Sequence, residues 1–387
     1  MKRLLLIGAG HAHAQVLKDW IRTPVPGTAL TLVTPSVMAP YSGMVPGWLA
    51  GSYRFDEICI DFAALANAAG AGLLIDELAS LDPKRRMVRL RSGTELHYDL
   101  LSLNVGSTLS PPSAPPGTQL LSLRPLGKLH AAWEVLLSDP GLTLADGPLL
   151  VTAVGGGAAG VEALLATLAR LRQAQPGRPV AGQLLNRGPD LLPGLAPGAV
   201  RSARAALAAA GVTVHTNRMF DAAATQPGEL LLWATGAEAH VWQRASGLAV
   251  SERGFVRIDD QLRSVSHVQV FAVGDCAEWA QPLPKAGVYA VRMGPVLSRN
   301  LNAALGVGQA VAYAPQRQVL ALLATADGSA IGAWGRWAVR GRWVWRWKDR
   351  IDRRFLRRFA VNTAAPDALT AGAAPSPPFV APPGDCS

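Results

Sequence analysis

The chain is poor in cysteine: Cys59, Cys276 and Cys386 are its only three in 387 residues, and more than a hundred residues separate each from the next. That excludes a CxxC dithiol and a disulfide scaffold, and it suits a reducing compartment. Long apolar runs are missing too, since none reaches the roughly 18 to 20 residues that a bilayer-spanning helix needs. Lys2-Arg3 ahead of residues 4–7 imitates a signal peptide, but the apolar run is shorter than the roughly 7 to 15 residues of such a segment and ends in glycine and histidine. A first strand and a cytoplasmic protein are therefore expected. Charge is sparse as well, with 17% of residues ionic against 49% hydrophobic. No metal site is expected, and no nucleic-acid recognition module accompanies the basic residues. A chain of this length and hydrophobic content can bury more than one core, so two or three domains are the natural division.

What is present begins at residues 4–13, Leu-Leu-Leu-Ile-Gly-Ala-Gly-His-Ala-His, followed by helix-compatible sequence to Trp20. This reads as a buried strand, a tight turn and a helix N-terminus. Such a turn can hold a pyrophosphate, because Gly8 and Gly10 allow close backbone approach and the free amides and positive dipole end of the helix face the anion. Two features of the usual fingerprint are absent: His13 stands where the third glycine of GxGxxG belongs, and Thr34 ends the next apolar run where an acid would bind a ribose diol. An ordinary strand-turn-helix of an α/β core is the alternative.

The pattern returns in complete form. Residues 149–154, Leu-Leu-Val-Thr-Ala-Val, read as a buried strand, and Gly155, Gly157 and Gly160 follow, then Glu162 and an Ala- and Leu-rich helix to Arg172. Here the glycines lie between strand and helix, as the dinucleotide mechanism requires. The next strand, near residues 182–185, ends in Asn186-Arg187, where an NADH site would prefer an acid. An arginine there can accept a 2′-phosphate, which leans toward NADPH or toward indifference; a solvated Arg187 is the alternative.

Other segments fall around these two units. Residues 38–47 hold two prolines and two glycines around Tyr41, which predicts a shaped loop leaving the carboxyl end of a strand, where ligands sit in open α/β sheets. Residues 72–107 read as hairpin strands with a turn at Ser92-Gly93 and a close at Gly106. Residues 111–117 are proline-rich and read as a domain boundary. The run 230–237 is a strand ending at Gly236, and the run 268–277 stops at Gly274-Asp275, placing a carboxylate at the edge of a sheet. Pro284-Lys285-Ala286-Gly287 then opens an apolar helix to about Leu305.

The net charge of +10 is concentrated: residues 336–359 hold ten Lys or Arg and two Asp, which supplies +8. A helix is predicted after about Trp343, with Trp343, Trp347, Ile351, Phe355 and Phe359 recurring every four residues. Five of the eleven tryptophans lie between 334 and 347. A basic helix with aromatics suits an anionic membrane surface, which makes residues 334–359 the expected contact; packing of the aromatic stripe on the core is the alternative. Residues 361–387 are rich in Pro, Ala and Gly and are expected to be disordered.

Taken together, these stretches resemble the FAD-dependent pyridine nucleotide-disulfide oxidoreductase family over roughly residues 1–360. Within it the chain is most similar to type II NADH dehydrogenase-like proteins, especially the branch also found fused to selenophosphate synthetase. The likeness is carried by Ile7 to His13, Pro40-Tyr41-Ser42-Gly43-Met44, Tyr98-Asp99 with Gly106-Ser107, Gly155 to Glu162, Ala234-Thr235-Gly236, Val273-Gly274-Asp275, Pro284 to Gly287 and the run Trp345 to Asp352. It implies an α/β architecture of two Rossmann-like dinucleotide-binding domains. An FAD domain in two pieces (1–110 and 245–310) would be split by an NAD(P)H domain (111–244) and followed by a C-terminal basic aromatic segment (311–360). Gly8, Gly10 and His11 would lie at the FAD pyrophosphate, Asp275 with Gly274 at the ribityl or pyrophosphate region, and Pro40 and Tyr41 beside the isoalloxazine. Gly155, Gly157, Gly160 and Glu162 would hold the nicotinamide nucleotide, with Gly106 and Gly236 at backbone passages beside the cofactors.

The implied activity is hydride transfer from NAD(P)H to flavin and then electron transfer to an acceptor, quinone among the candidates, on a protein that can be peripheral on the inner face of a membrane and homodimeric. Lys285 and Tyr41 are the candidate catalytic residues. Two departures bear on the acceptor: no match exists for the cysteine pair of sulfide:quinone reductases, and alignment to Gly294 puts Val288 and Arg292 where type II NADH dehydrogenases carry two quinone-facing glutamines. The rivals are a flavin-binding, membrane-docked regulatory or partner protein with negligible turnover, and a redox enzyme of selenium or sulfur metabolism.

Overall fold

The computed structural model describes residues 1–139, 147–316 and 318–361; the expected disordered tail, apart from residue 361, lies outside the described residues. Two five-stranded parallel sheets organise the chain. The first runs in the order Val270–Ala272 (β16), Leu100–Leu103 (β9), Lys2–Ile7 (β1), Thr28–Thr34 (β2) and Gly72–Ile75 (β5). The second runs Gln119–Ser122 (β10), Leu230–Trp233 (β14), Leu149–Val154 (β11), Val180–Leu185 (β12) and Val212–His215 (β13). In both, every neighbouring pair is parallel. Parallel sheets are covered on both faces, which is why their strands are near-continuous apolar runs: Leu4 to Ile7 and Leu230 to Trp233 are buried at every position.

The helices among the described residues are His11–Arg22 (α1), Val45–Leu49 (α2), Phe62–Ala68 (α3), Leu126–Ser138 (α4), Ala158–Ala174 (α5), Pro197–Ala209 (α6), Val241–Ala245 (α7), Gly287–Leu305 (α8) and Arg342–Arg357 (α9). Leu17, Trp20, Phe62, Leu297 and Leu301 pack on the first sheet. Leu164, Leu168, Ala203 and Leu207 pack on the second. Smaller sheets complete the structure. Met38–Pro40 (β3) pairs with Cys59–Asp61 (β4), and Leu78–Asp82 (β6), Met87–Leu90 (β7) and Glu95–His97 (β8) form an antiparallel set with its turn at Ser92-Gly93. Val256–Ile258 (β15) pairs with Ala277–Trp279 (β17), and Ala321–Ala324 (β18), Ala330–Trp334 (β19) and Trp337–Gly341 (β20) form a C-terminal meander.

Three sequence-based expectations need correction. Residues 38–47 are not one irregular loop, because β3 occupies the start and α2 begins at Val45. Pro46 sits in the first turn of that helix, where its missing N–H is tolerated. Met44, Trp48 and Leu49 are then buried in the core of the second sheet, so this segment ties the two sheets together. Residues 72–107 are not all hairpin strands: only β6, β7 and β8 form the antiparallel set, while β5 and β9 on either side pair in parallel within the first sheet. Finally, the five-residue aromatic stripe of α9 does not share one face. A four-residue repeat advances about 40° further than a full turn of an α-helix, so the stripe winds around the axis. Trp343, Trp347 and Ile351 are exposed, whereas Phe355 and Phe359 are buried.

Candidate functional site

At the end of β1, Gly8 turns the chain with φ +97°. The approach is close: a Cβ on Gly8 would lie 2.5 Å from the Asn104 carbonyl oxygen, and one on Gly10 would lie 2.0 Å from Asn104 Oδ1. Asn104 Oδ1 accepts from Ala12 N at 3.2 Å, while its Nδ2 donates to Val273 O at 3.0 Å. One amide thus fixes the start of α1, the end of β9 and the approach to Gly274-Asp275. His13, in place of the third glycine, is fully buried with Nδ1 2.7 Å from Gly8 O and Nε2 2.9 Å from Ser102 Oγ. Burial lowers its pKa to about 4, so it is a neutral packing residue. Gly10 is the N-cap of α1, and because Asn104 Oδ1 takes the Ala12 amide and Gly10 O the His13 amide, the His11 amide is the first-turn donor without a partner among the described residues.

Asp275 stands beside this turn. Its carboxylate accepts from Arg124 Nη1, which also donates to Ser107 Oγ, and Ser107 itself lies 3.4 Å from Asp275 Oδ2. Arg124 follows β10, so an ion pair crosses from the second sheet to the carboxyl edge of the first. Gly106, next to Ser107, has φ +70° and open space where a Cβ would be.

Tyr41 joins His11 and Phe355 in an aromatic cluster, with ring centroids 5.4 Å (His11–Tyr41), 5.8 Å (His11–Phe355) and 4.5 Å (Tyr41–Phe355) apart. Burial lowers the His11 pKa to about 4. Burial also raises that of the Tyr41 hydroxyl, and the negative charge of Asp352 adds to the rise. Asp352 in turn pairs with Lys348 Nζ at 2.6 Å, and Lys348 donates to Gly43 O. Pro40 ends β3 immediately before the cluster.

In the second unit the three glycines do different things. A Cβ on Gly155 (φ +121°) would lie 2.4 Å from Ala234 O, and one on Gly160 would lie 1.9 Å from Gly155 O, whereas one on Gly157 would meet nothing within 4 Å. The first two serve chain packing. Gly157, the uncapped N-cap of α5, faces open space, as a dinucleotide pyrophosphate requires. Asn186 closes the turn by accepting from Gly156 N at 3.1 Å. Arg187 is exposed beyond β12, and Gly236 faces open space after β14.

Glu162 is buried, and its Oε1 accepts from Ala324 N of β18 at 2.7 Å, which ties α5 to the C-terminal meander. Burial pushes its pKa up to about 7, against the attraction of Lys348. Between the ordinary glutamate value and 7 the folded chain keeps a proton that the unfolded chain has lost, so stability falls with pH across that window and levels off above it. Relative to wild type, Glu162→Gln is expected to gain thermal stability between pH 5 and 8, by up to about 3 kcal/mol. Melting curves at both pH values check this, and a constant difference between the two proteins would refute it.

Lys285 Nζ donates to Ala277 O at 2.5 Å and lies 3.7 Å from the centroid of the Phe255 ring. Burial lowers its pKa. No hydrogen bond, ion pair or ring contact links it to Tyr41 among the described residues, so the two candidate catalytic side chains sit apart. Sequence reasoning missed Asn104, Arg124 and the Lys348–Asp352 pair as site residues. Only the pair leaves a readable signal, through its i,i+4 spacing.

The profile of the pyridine nucleotide-disulphide oxidoreductase family matches residues 2–294. A nitric oxide reductase FlRd-NAD(+) reductase of Aeromonas salmonicida is 30% identical over 213 residues, which cover 53% of this chain and 52% of that protein. The chain thus spans about half the length of this relative. Among solved structures, NDH2 of Plasmodium falciparum superposes with a TM-score of 0.74 at 12% identity, covering 92% of this chain and 97% of that one. The sulfide:quinone oxidoreductase of Aquifex aeolicus superposes with a TM-score of 0.71 at 16% identity, covering 93% and 91%. At such identities the two likenesses describe the fold.

Proposed function

Because the chain belongs to the pyridine nucleotide-disulphide oxidoreductase family, we propose that it is an FAD-dependent NAD(P)H oxidoreductase that passes electrons from the nicotinamide nucleotide to an acceptor. FAD, when bound, supplies the redox chemistry by accepting hydride from NAD(P)H and giving electrons onward. The FAD-binding part would be residues 1–110 and 245–310, the NAD(P)H-binding part 111–244, and 311–360 a segment bridging both. The observation that carries this reading is the pair of strand-glycine-helix turns at the carboxyl edges of two parallel sheets, each opening a helix at a glycine N-cap.

The residues divide the work. Gly8, Gly10 and His11 would present the α1 N-terminus to the flavin pyrophosphate, while Asp275 with Gly274 would accept from a ribityl hydroxyl. Pro40 and Tyr41 wall the ring site, and Gly106 and Gly236 leave room for backbone-close passage. Gly155, Gly157 and Gly160 cradle the nicotinamide nucleotide, and Arg187 supports acceptance of a 2′-phosphate. Glu162 braces α5 from behind through Ala324. Lys285 acts at one remove: by holding Ala277 O it fixes the turn from which α8 starts, and the α8 dipole then favours negative charge on the ring.

Anaerobic titration tests this directly. The yellow protein should lose its visible flavin band on adding NADPH or NADH, and reoxidation by an added quinone should restore it. A flavin that neither nucleotide bleaches would remove the enzymatic reading in favour of a flavin-binding regulatory protein.

Peripheral membrane contact is a second part of the proposal. No helix among the described residues is long and apolar enough to cross a membrane. Instead Trp334, Trp337, Trp343 and Trp347 are 54%, 71%, 58% and 40% exposed, beside Arg336, Arg342, Arg346 and Arg350. Exposed indoles among arginines suit an anionic headgroup layer. Sedimentation with phosphatidylglycerol vesicles should be salt-sensitive and fall at least about tenfold in the Trp337→Ala/Trp343→Ala/Trp347→Ala variant. Equal sedimentation of variant and wild type would remove the membrane contact.

A further inference from the structure

A cavity of about 500 Å³ lies between α1, α8 and the end of α9, with His11, Gln15, Arg292, Pro295, Phe355 and Arg358 among its walls. Two of its walls, His11 and Phe355, are also the two rings that pack on Tyr41. A molecule in this cavity would therefore stand next to the ring site proposed above.

The charge of the cavity is one-sided. Neither Arg292 nor Arg358 makes an ion pair with a described residue. With the Gln316 amide turned so that its oxygen faces the guanidinium, it accepts from Arg292 Nε at 3.0 Å and Nη1 at 3.3 Å, which orients the arginine without neutralising it. The Lys18 ammonium lies 5.8 Å from the centroid of the ring of Phe359, one of the cavity's walls. The nearby acids are already engaged: Asp19 accepts from Gln15 at 2.8 Å, and Asp352 is held by Lys348. Unmatched cations around a concave surface concentrate anions, and an arginine fork binds a carboxylate, sulfonate or phosphate in two-point fashion. Phe355 and Pro295 supply an apolar wall for a flat ring.

We propose that this cavity is the acceptor subsite and that the acceptor is anionic: a conjugated quinoid ring against Phe355 that carries a carboxylate, sulfonate or phosphate on Arg292 and Arg358. The proposal rests on the reading of the chain as a flavin oxidoreductase. Overall, NAD(P)H and one proton reduce the quinoid to its hydroquinone, with two electrons and two protons gained by the acceptor and NAD(P)+ released. A neutral lipid quinone would leave both guanidinium groups without a counter-charge.

The test compares kcat/KM for 1,4-naphthoquinone-2-sulfonate with that for unsubstituted 1,4-naphthoquinone, in wild type and in Arg292→Gln/Arg358→Gln. The ratio should fall about tenfold or more in the double variant, through KM of the sulfonate, because one charge-assisted contact of about 1.4 kcal/mol corresponds to tenfold. The same ratio in both proteins would overturn the proposal. If neither nucleotide reduces the flavin, the wider reading has failed, and the subsite is then tested separately with the non-reducible naphthalene-2-sulfonate, by tryptophan quenching. Saturable binding lost in the double variant supports the anion site, and binding that survives it overturns the site. Loss of phosphatidylglycerol vesicle binding in the double variant with an unchanged sulfonate ratio would assign the arginines to lipid phosphates and also overturn it.

Discussion

Lys348→Met is expected to release the C-terminal helix α9 from the body of the protein. The Lys348 and Asp352 side chains are only 5% and 6% exposed, and the ammonium serves both Asp352 and the Gly43 carbonyl. Removing it leaves a buried carboxylate beside the Tyr41 hydroxyl with no cation. Breaking a buried pair from one side costs about 3–5 kcal/mol. Because α9 lies at the edge of the described chain, the cost should appear as local opening and not as collapse of the two sheets. Hydrogen exchange over residues 342–357 should accelerate by two orders of magnitude or more, with protection in β1 and β11 unchanged. The double change Lys348→Met/Asp352→Leu should restore most of the protection, since an apolar pair of similar volume needs no counter-charge. Wild-type protection in the single variant would show that the pair contributes nothing.

The second large effect separates two glycines three residues apart. Gly157→Ala adds a methyl where no protein atom lies within 4 Å, at φ −74° and ψ 176°, which alanine adopts freely. The fold should persist, at a capping cost of at most about 1 kcal/mol. If a pyrophosphate occupies that space, the KM for NAD(P)H should rise about tenfold or more, at unchanged flavin content. Gly160→Ala instead drives a methyl to 1.9 Å from the Gly155 carbonyl oxygen, a backbone atom with little freedom to move. Overpacking there should cost at the upper end of about 1–3 kcal/mol and lower the melting temperature before any question of affinity arises. Calorimetry and nucleotide titration on both variants distinguish them, and normal NAD(P)H affinity in a folded Gly157→Ala protein would move the nucleotide elsewhere.

The parallel cores were readable because their strands obey a simple rule: a strand covered on both faces is nearly all apolar, as at Leu4 to Ile7 and Leu230 to Trp233. Helix starts and ends near the glycines followed from the same local chemistry. What could not be read depends on distant pairing. Asn104 looks like a loop residue until Ala12 and Val273 are brought to it. Arg124 sits 151 positions from Asp275. The C-terminal meander was hidden because β18 to β20 are short and rich in alanine and glycine, so no periodicity marks them. The stripe of α9 was legible as a pattern, but its spacing of four hid the drift that sends Trp343 outward and Phe355 inward.

The Gly10–Asn104 contact makes the first glycine turn non-transferable. A designer who copied residues 4–13 into another parallel sheet would carry the loop but not the amide that fills the space beside it, and the α1 start would lose its brace. Any side chain at position 10 requires a smaller residue at 104, and that residue would release both Ala12 and Val273. The two positions therefore form one unit of inheritance across 94 residues of chain, and substitutions in homologous sequences should arise at both together or at neither.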